Sequence, residues 1–143
     1  MVSAEVEEMM QRNIYWGVFK KNKTSVTLVN NTLKNEDITV PAGQAWTVLR
    51  GRIHNGDDVA RNCNVICYDS DDVEMQTLDA DAALGATAVR TFPRANQAGA
   101  EENWHQPVVM EAGDYARFQF KAGGASAGGT SIIMLHVLER PKV

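Results

Sequence analysis

The chain has 143 residues and a formal net charge of −4 at neutral pH. This length suits one folded domain and leaves little room for a second full hydrophobic core. The acidic balance argues against nucleic acid or an anionic membrane surface as a partner, because both attract basic proteins. No run approaches the roughly 18 apolar residues of a membrane span, and residues 1–13 lack signal-peptide features. We therefore expect synthesis in the cytoplasm, where the protein is either retained or assembled into something larger.

The N-terminal residues carry the pattern of a short amphipathic helix. Their apolar side chains follow the spacing of one helical face, at Val2, Val6, Met9, Met10 and Ile14. Ser3 suits the N-cap, and three glutamates follow it early, where the helix dipole favours acidic side chains. Because so short a helix is marginal alone, its Met-rich stripe must pack on its own domain or on another chain. We therefore divide the chain into an arm, residues 1–14, and a main domain, residues 15–143.

Short segments rich in β-branched and aromatic residues follow the arm. Strands are predicted at residues 14–19, 25–30, 38–40, 44–55, 63–69, 108–120 and 132–140, with a polar turn at 20–23 and loops at 31–37 and 121–131. Many short strands separated by Gly, Asn, Asp and Pro predict an all-β fold, a sandwich or a barrel, and we favour an antiparallel β-sandwich. The last strand is apolar on both faces and is therefore expected to be central in its sheet.

Two related phrases, "VPAGQAW" and "MEAGDYA", place Ala-Gly before an alternating strand. We interpret both as strand entrances, because Pro cannot donate to a sheet and Gly permits a turn or bulge. In the first strand, strict alternation puts Trp46, Val48 and Arg50 on one face, with Gly51 and Ile53 on the other. In the second strand, the inward-facing residues are predicted to be Ala116, Phe118 and Phe120.

The strand pattern weakens at about residues 70–107. The stretch at 79–88 has the composition of a short helix, and the stretch at 90–107 is rich in turn formers without periodicity. A loop this long is uncommon in a compact domain and is often functional. We predict a surface excursion here, with residues 90–107 reaching a neighbouring subunit.

The sequence offers little support for catalysis or for a cofactor. The Gly-rich tip "AGGASAGG" lacks the lysine of a phosphate-binding loop, no nucleophile elbow is present, and the histidines lack metal-ligand spacing. Cys63 and Cys67 lie on one predicted strand, roughly 13 Å apart. A disulfide needs Cα atoms within about 7 Å, so we expect two buried thiols. The sequence thus predicts a protein without enzymatic activity, catalytic residues or cofactors.

Four carboxylates cluster in "YDSDDVEM", namely Asp69, Asp71, Asp72 and Glu74. The preferred interpretation is a solvated acidic turn, and a calcium site is the weaker alternative. The EF-hand pattern would require a glycine and a distal glutamate at fixed offsets, which this segment lacks.

Candidate contacts with a partner come from the arm and the long loop. An exposed tryptophan among polar residues is costly unless it meets a partner, and this singles out Trp104. Trp46 is expected in the core, whereas Trp16 would seal either the core or an interface. The candidate contact residues are Val2, Val6, Met9, Met10, Ile14, Trp16, Arg90, Arg94, Trp104 and His105.

The phrases "VPAGQAWTVLRGRIHN", "CNVICYD", "MEAGDYARFQFKAGG" and "IIMLHVLERP" together resemble small virion proteins of tailed bacteriophages. The resemblance covers roughly Ile38–Pro141 and is to capsid decoration, or cement, proteins with a jelly-roll-like β-sandwich. It implies a non-enzymatic homotrimer that binds the major capsid protein on the outside of the virion and stabilises the capsid. The arm and the 90–107 loop would then be the capsid contacts.

Two other functions are compatible with the same sequence. Tail, baseplate and head-fibre components of phages carry similar strands. A soluble β-sandwich module that binds carbohydrate or calcium is the alternative from another class.

Overall fold

A computed structural model describes residues 17–93 and 108–142. These residues form nine β-strands and no helix. The strands are β1 (Val18–Leu28), β2 (Lys34–Thr39), β3 (Gln44–His54), β4 (Arg61–Tyr68), β5 (Glu74–Leu84), β6 (Val89–Phe92), β7 (Val108–Glu111), β8 (Tyr115–Phe120) and β9 (Gly129–Pro141).

The strands form two antiparallel sheets that enclose one core. The first has the order β1-β9-β3-β6, with β7 also paired to β3, and the second has the order β2-β8-β4-β5. Buried apolar residues from both sheets form a single cluster, and the rings of Phe92 and Phe118 meet across it with centroids 5.9 Å apart. The all-β fold with two antiparallel sheets is confirmed, whereas the predicted helical arm lies outside the described residues.

Several local predictions are confirmed. β9 is central, between β1 and β3. The inward side chains of β8 are buried as expected, with Ala116, Phe118 and Phe120 all at 0% exposure. Cys63 and Cys67 are buried free thiols, and burial raises the pKa of each to about 12.

The two Ala-Gly phrases are joined to each other. The Val40 amide donates to the Asp114 carbonyl at 2.9 Å, and the Gly113 amide donates to the Val40 carbonyl at 3.1 Å. Both Gly43 and Gly113 have positive φ, at 77° and 91°, which glycine adopts without a Cβ clash. The strand entrances into β3 and β8 therefore support one another at one end of the sandwich.

The predicted turn at residues 20–23 is wrong. β1 runs unbroken, and every residue from Val18 to Leu28 pairs with β9. The segment "KKNK" has polar composition but lacks glycine or proline, so nothing stops a strand there. Because β1 is an edge strand, exposed lysines suit it and discourage pairing with another chain. The predicted loop at 31–37 is also partly wrong, since β2 begins at Lys34 and pairs with β8.

The predicted helix at 79–88 is wrong as well. β5 occupies Glu74–Leu84 and pairs with β4 through several register shifts, and β6 follows at Val89–Phe92. Pairing along β4 outweighs the local helix preference of alanine, which amounts to only tenths of a kcal/mol per residue. Of the predicted excursion at about 70–107, residues 74–84 and 89–92 are thus strands, and 94–107 lie outside the described residues.

The strict alternation predicted for β3 is broken by a β-bulge. The pairing with β9 shifts register between Val48 and Arg50. Trp46 and Val48 face the core as predicted, but beyond the bulge Gly51 and Ile53 face it instead. One extra residue inverts the phase of the side chains that follow it. The prediction that Arg50 shares a face with Trp46 is therefore wrong, and Arg50 points to the outer face of the sheet.

A buried ion pair holds one end of the sandwich. The side chains of Asp57 and Arg61 are both 0% exposed, with Arg61 Nη2 2.7 Å from Asp57 Oδ2. Arg61 also donates to the carbonyls of Thr32 at 2.8 Å and Val29 at 2.6 Å. Burial would raise the pKa of Asp57, but hydrogen bonds from the Arg61 guanidinium and the Asp58 amide outweigh it, and the pKa is lowered to about 2. The pair fixes the β1–β2 connection to the start of β4.

Candidate contact surface on the five-stranded sheet

The outer face of the five-stranded sheet carries two rows of side chains that the strand register aligns. In one row, His136 of β9 lies between Lys21 of β1 and Arg50 of β3. In the next row, Met134 lies between Lys23 and Arg52, and Arg52 pairs onward with Thr91 of β6. We call this surface the basic face; its residues are Lys21, Lys23, Arg50, Arg52, Thr91, Met134 and His136.

An open pocket lies within the basic face and has a volume of about 220 Å³. Its lining consists of Arg50, Gly51, Arg52, Thr91, Met134 and His136. The β3 bulge is what creates it, because without the phase change Arg50 would be on the core side. Two guanidinium groups and an imidazole therefore converge on one concave site.

His136 is the most buried side chain of the pocket, with 7% exposure. Its Nδ1 accepts a hydrogen bond from Arg50 Nε at 3.0 Å, and Phe19 packs edge-on against its ring. Burial lowers the pKa of His136, and the positive charges of Arg50, Lys21 and Arg52 lower it further. The ring is therefore neutral at pH 7, and because Nδ1 accepts, the proton is on Nε2.

Two nitrogen donors of the pocket are buried without an acceptor. They are Nε of Arg52 and Nε2 of His136, and neither has a hydrogen-bond partner among the described residues. A buried donor left unsatisfied costs about 1–3 kcal/mol, so native structures rarely retain one without a functional reason. The two residues that carry these donors line the same pocket, which is therefore suited to a ligand with acceptor oxygens.

The four cations of the basic face also lack counter-charges. Among residues 17–93 and 108–142, no ion pair forms with Lys21, Lys23, Arg50 or Arg52. Six other cations in this part of the chain do have carboxylate partners, namely Lys20, Arg61, Arg90, Arg117, Lys121 and Lys142. In a protein of net charge −4, four cations that have no ion pair among the described residues thus lie together on one face.

Apolar side chains border the basic face. Phe19 of β1 is 47% exposed and lies in the same row as Leu138 and Val109, the latter 42% exposed. Val89, paired with His54 at the other end of β3, is 52% exposed. Basic side chains with an apolar border are the composition expected of a surface that binds an acidic, amphipathic partner.

Both undescribed segments leave the domain at the edges of this sheet. Residues 1–16 precede Gly17 at the start of β1, which is one edge strand. Residues 94–107 lie between β6 and β7 at the opposite edge. Phe92 pairs with Gly51 and Val108 pairs with Val48, so these residues leave and rejoin the sheet at the β3 bulge, beside Arg50. The points at which these two segments join the described domain thus lie on either side of the basic face.

Most of the predicted contact residues lie outside the described part of the chain. These are Val2, Val6, Met9, Met10, Ile14, Trp16, Arg94, Trp104 and His105. Arg90 is described, and its guanidinium is engaged within the domain. It donates to the buried Asp79 carboxylate at 2.7 Å and to the Cys63 carbonyl at 2.7 Å. Arg90 thus ties β6 of one sheet to β4 and β5 of the other, and its contact with a partner stays a prediction.

The acidic loop uses its carboxylates in internal hydrogen bonds. Asp69 Oδ1 accepts from the amides of Asp71 and Val73, both at 2.9 Å. Asp72 Oδ1 accepts a hydrogen bond from the Tyr115 hydroxyl at 2.6 Å. This bond is the main cause that raises the pKa of Tyr115 to about 12, and loss of hydration is the second cause. Within the described ranges, no group of three or more potential ligands, Glu74 included, gathers as a metal site.

Sequence reasoning missed the basic face. A signal was present, because Lys21 and Lys23, like Arg50 and Arg52, are two residues apart and so share a face of a strand. What was missing was the knowledge that β9 aligns these two pairs. In addition, residues 20–23 were interpreted as a turn and Arg50 as a neighbour of Trp46.

No protein-family model matches the chain, and a search of curated proteins finds no match. In the described part of the chain, no helix has the length and hydropathy needed to cross a membrane.

Proposed function

We propose that the protein is a non-enzymatic structural component of a phage virion, which binds the outer surface of the assembled capsid as a decoration protein and stabilises it. The observation that carries this proposal is the basic face, where four cations and two buried donors have no partner among the described residues. Both segments nominated for partner contacts attach at its edges. These features favour protein binding over chemistry.

The strand order also supports the proposal. If β6 and β7 are counted as one interrupted strand, the two sheets contain four strands each, and the chain passes from one sheet to the other at every connection except that between β4 and β5. Their order fits a jelly roll, an architecture found in viral capsid proteins and in lectins. Fold alone does not define function, so the virion assignment rests on the sequence resemblance together with the contact surface.

The mechanism follows from rigidity and repetition. The sandwich supplies a rigid body, and the basic face would bind carboxylates on the major capsid protein. The arm and the loop residues Arg94, Trp104 and His105 would extend this contact from the two edges. On a repetitive lattice, and in a homotrimer, many weak contacts combine into high avidity. Simultaneous binding to adjacent subunits would hold them together.

Co-sedimentation with capsids that lack this protein tests the proposal. The wild type should sediment with the capsids, and Arg50→Glu/Arg52→Glu should bind at least tenfold more weakly. Lys34→Glu/Lys121→Glu is the matched control, because it changes the net charge equally on the other sheet and should bind normally. Failure of the wild type to sediment would refute the capsid assignment, and equal binding by all variants would refute the basic face as the contact.

Two further measurements separate the remaining alternatives. Native mass spectrometry should give a homotrimer. Cryo-electron microscopy of particles should place the protein on the capsid exterior, whereas density in the tail, baseplate or fibres would replace the decoration assignment.

A further inference from the structure

We propose that the acidic N-terminal segment, residues 1–14, docks on the basic face of its own domain and places a glutamate carboxylate in the pocket formed by Arg50, Arg52 and His136. This inference concerns the free protein and does not depend on the proposed capsid role.

Charge complementarity identifies the segment as the occupant. Residues 1–14 contain Glu5, Glu7 and Glu8 against the single cation Arg12. The basic face has four cations without an ion pair among the described residues. This surface and this segment are therefore complementary in charge, although the chain as a whole is acidic.

The chemistry of the pocket selects a carboxylate. Arg52 Nε–H and His136 Nε2–H are buried donors that need acceptor oxygens. A carboxylate offers two oxygens and about four acceptor sites, and it forms strong charge-assisted bonds with guanidinium groups. One glutamate side chain would satisfy both orphaned donors and place its charge between Arg50 and Arg52.

The apolar side chains of residues 1–14 also match those in and around the basic face. On the helical spacing predicted for residues 1–14, Glu5 and Glu7 lie on either side of the stripe that contains Val6 and Met9. The basic face is bordered by Phe19 and Leu138, with Met134 at its centre. A helix that rests its stripe on these side chains would direct a bordering glutamate towards the pocket. Methionine suits such a contact, since it adapts to irregular surfaces.

The chain is long enough for this docking within one molecule. Residues 1–16 are joined to the described domain at Gly17. Two residues further along β1, Phe19 lies in the cross-strand row next to the row that contains Lys21 and His136. From Phe19, the pocket is roughly 7–14 Å away along the strands and about 10 Å away across them. A helix of 14 residues spans about 21 Å, which covers this distance. A tethered segment also has a high effective concentration, which favours its own domain over a second copy.

Paramagnetic relaxation in the full-length protein tests the proposal. A nitroxide on Ser3→Cys labels the segment selectively, because Cys63 and Cys67 are buried and poorly ionised. Amide signals of β1, β9 and β3 around Lys21, Arg50 and Met134 should broaden, and those of β2 should not. Broadening should be lost in Glu5→Gln/Glu7→Gln/Glu8→Gln, which leaves the described domain unaltered.

Charge reversal and isotope mixing complete the design. Arg50→Glu/Arg52→Glu should abolish the broadening. Adding Glu5→Lys/Glu7→Lys/Glu8→Lys to the same chain should restore it. The control Lys34→Glu/Lys121→Glu should leave the broadening unchanged. Absence of broadening on the basic face, or broadening that persists in the glutamine variant, would overturn the proposal. A mixture of spin-labelled unenriched protein with unlabelled ¹⁵N protein should show no broadening, and broadening there would assign the occupant to a second copy instead.

A docked segment would occupy the face that an acidic capsid surface requires, so the two acidic ligands would exclude each other. A capsid lattice would have to displace the segment in order to bind. The spin-label experiment uses the isolated protein, so its outcome can be told apart from that of co-sedimentation.

Discussion

Replacing Arg61 with methionine would leave the Asp57 carboxylate buried without its cation. Methionine roughly preserves the length and volume of the arginine stem, so the perturbation is mainly electrostatic. In the native domain both side chains are fully buried, and Arg61 satisfies Asp57 as well as the carbonyls of Val29 and Thr32. The variant therefore removes one ion pair and the donors to three backbone carbonyls, since Arg61 also donates to the Lys121 carbonyl.

The expected loss of stability is large. Removing one partner of a buried ion pair costs about 3–5 kcal/mol, because an uncompensated charge remains in the interior. For a domain of this size, 1 kcal/mol corresponds to roughly 3 °C in melting temperature, so we expect Tm to fall by about 9–15 °C. The double variant Asp57→Asn/Arg61→Met should regain part of this loss, since it removes the buried charge as well.

Urea denaturation followed by circular dichroism measures the change in the free energy of unfolding. Lys121→Met is the matched control, because its ion pair with Asp81 is exposed and should contribute less than about 1 kcal/mol. A loss below about 1 kcal/mol for Arg61→Met would refute the reasoning. So would a double variant less stable than Arg61→Met alone, because the buried charge would then not be the source of the loss.

Three further predictions concern other parts of the domain. The pKa of Asp57 falls from 3.8 to about 2 on folding. The ionised carboxylate therefore contributes about 2 kcal/mol to the free energy of unfolding, and this contribution is complete above pH 3.8 and is lost as the pH falls through 2. Between pH 2 and 5, the melting temperature should therefore depend more steeply on pH in the wild type than in Asp57→Asn. Parallel plots of melting temperature against pH would contradict this. Gly51→Ala should cost about 1–3 kcal/mol, because its Cβ would meet the Phe92 ring and lie 2.9 Å from the Met134 carbonyl oxygen. Gly85→Ala is its control, with the nearest atom at 3.9 Å, and equal melting temperatures for the two variants would argue against the close packing at Gly51. Cys63 and Cys67 should resist a thiol reagent at pH 8 in the native protein and react in urea, whereas rapid native labelling would show that the thiols are accessible.

Predictions from the sequence were most successful for strands in which alternating apolar residues identify the buried face. The inward residues of β8 and the central position of β9 follow from hydrophobic pattern alone, since apolar side chains repeating every second residue must face a core. The two buried thiols follow in the same way, because their spacing along a strand excludes a disulfide.

Prediction from the sequence failed where pairing with a distant strand overrides the preference of the local sequence for a turn or a helix. Residues 20–23 and 79–84 lack a clear apolar alternation, yet β9 and β4 hold them as strands. The β3 bulge is a third example, because an extra residue leaves no mark on composition but reverses the side chains beyond it. Arg90 was nominated as part of the 90–107 loop, and its ion pair with Asp79 could not be predicted because only the fold brings the two side chains together.

The sequence by itself therefore determined the all-β class, the inward faces of the best strands and the absence of a disulfide between Cys63 and Cys67. Only the tertiary structure decided that Lys21, His136 and Arg50 would lie in one row, although His136 is 86 residues from Arg50. The physical reason is that alternation is a property of consecutive residues. The neighbours of a strand, by contrast, are chosen by the packing of the whole chain, which weighs every pairing and every bulge together.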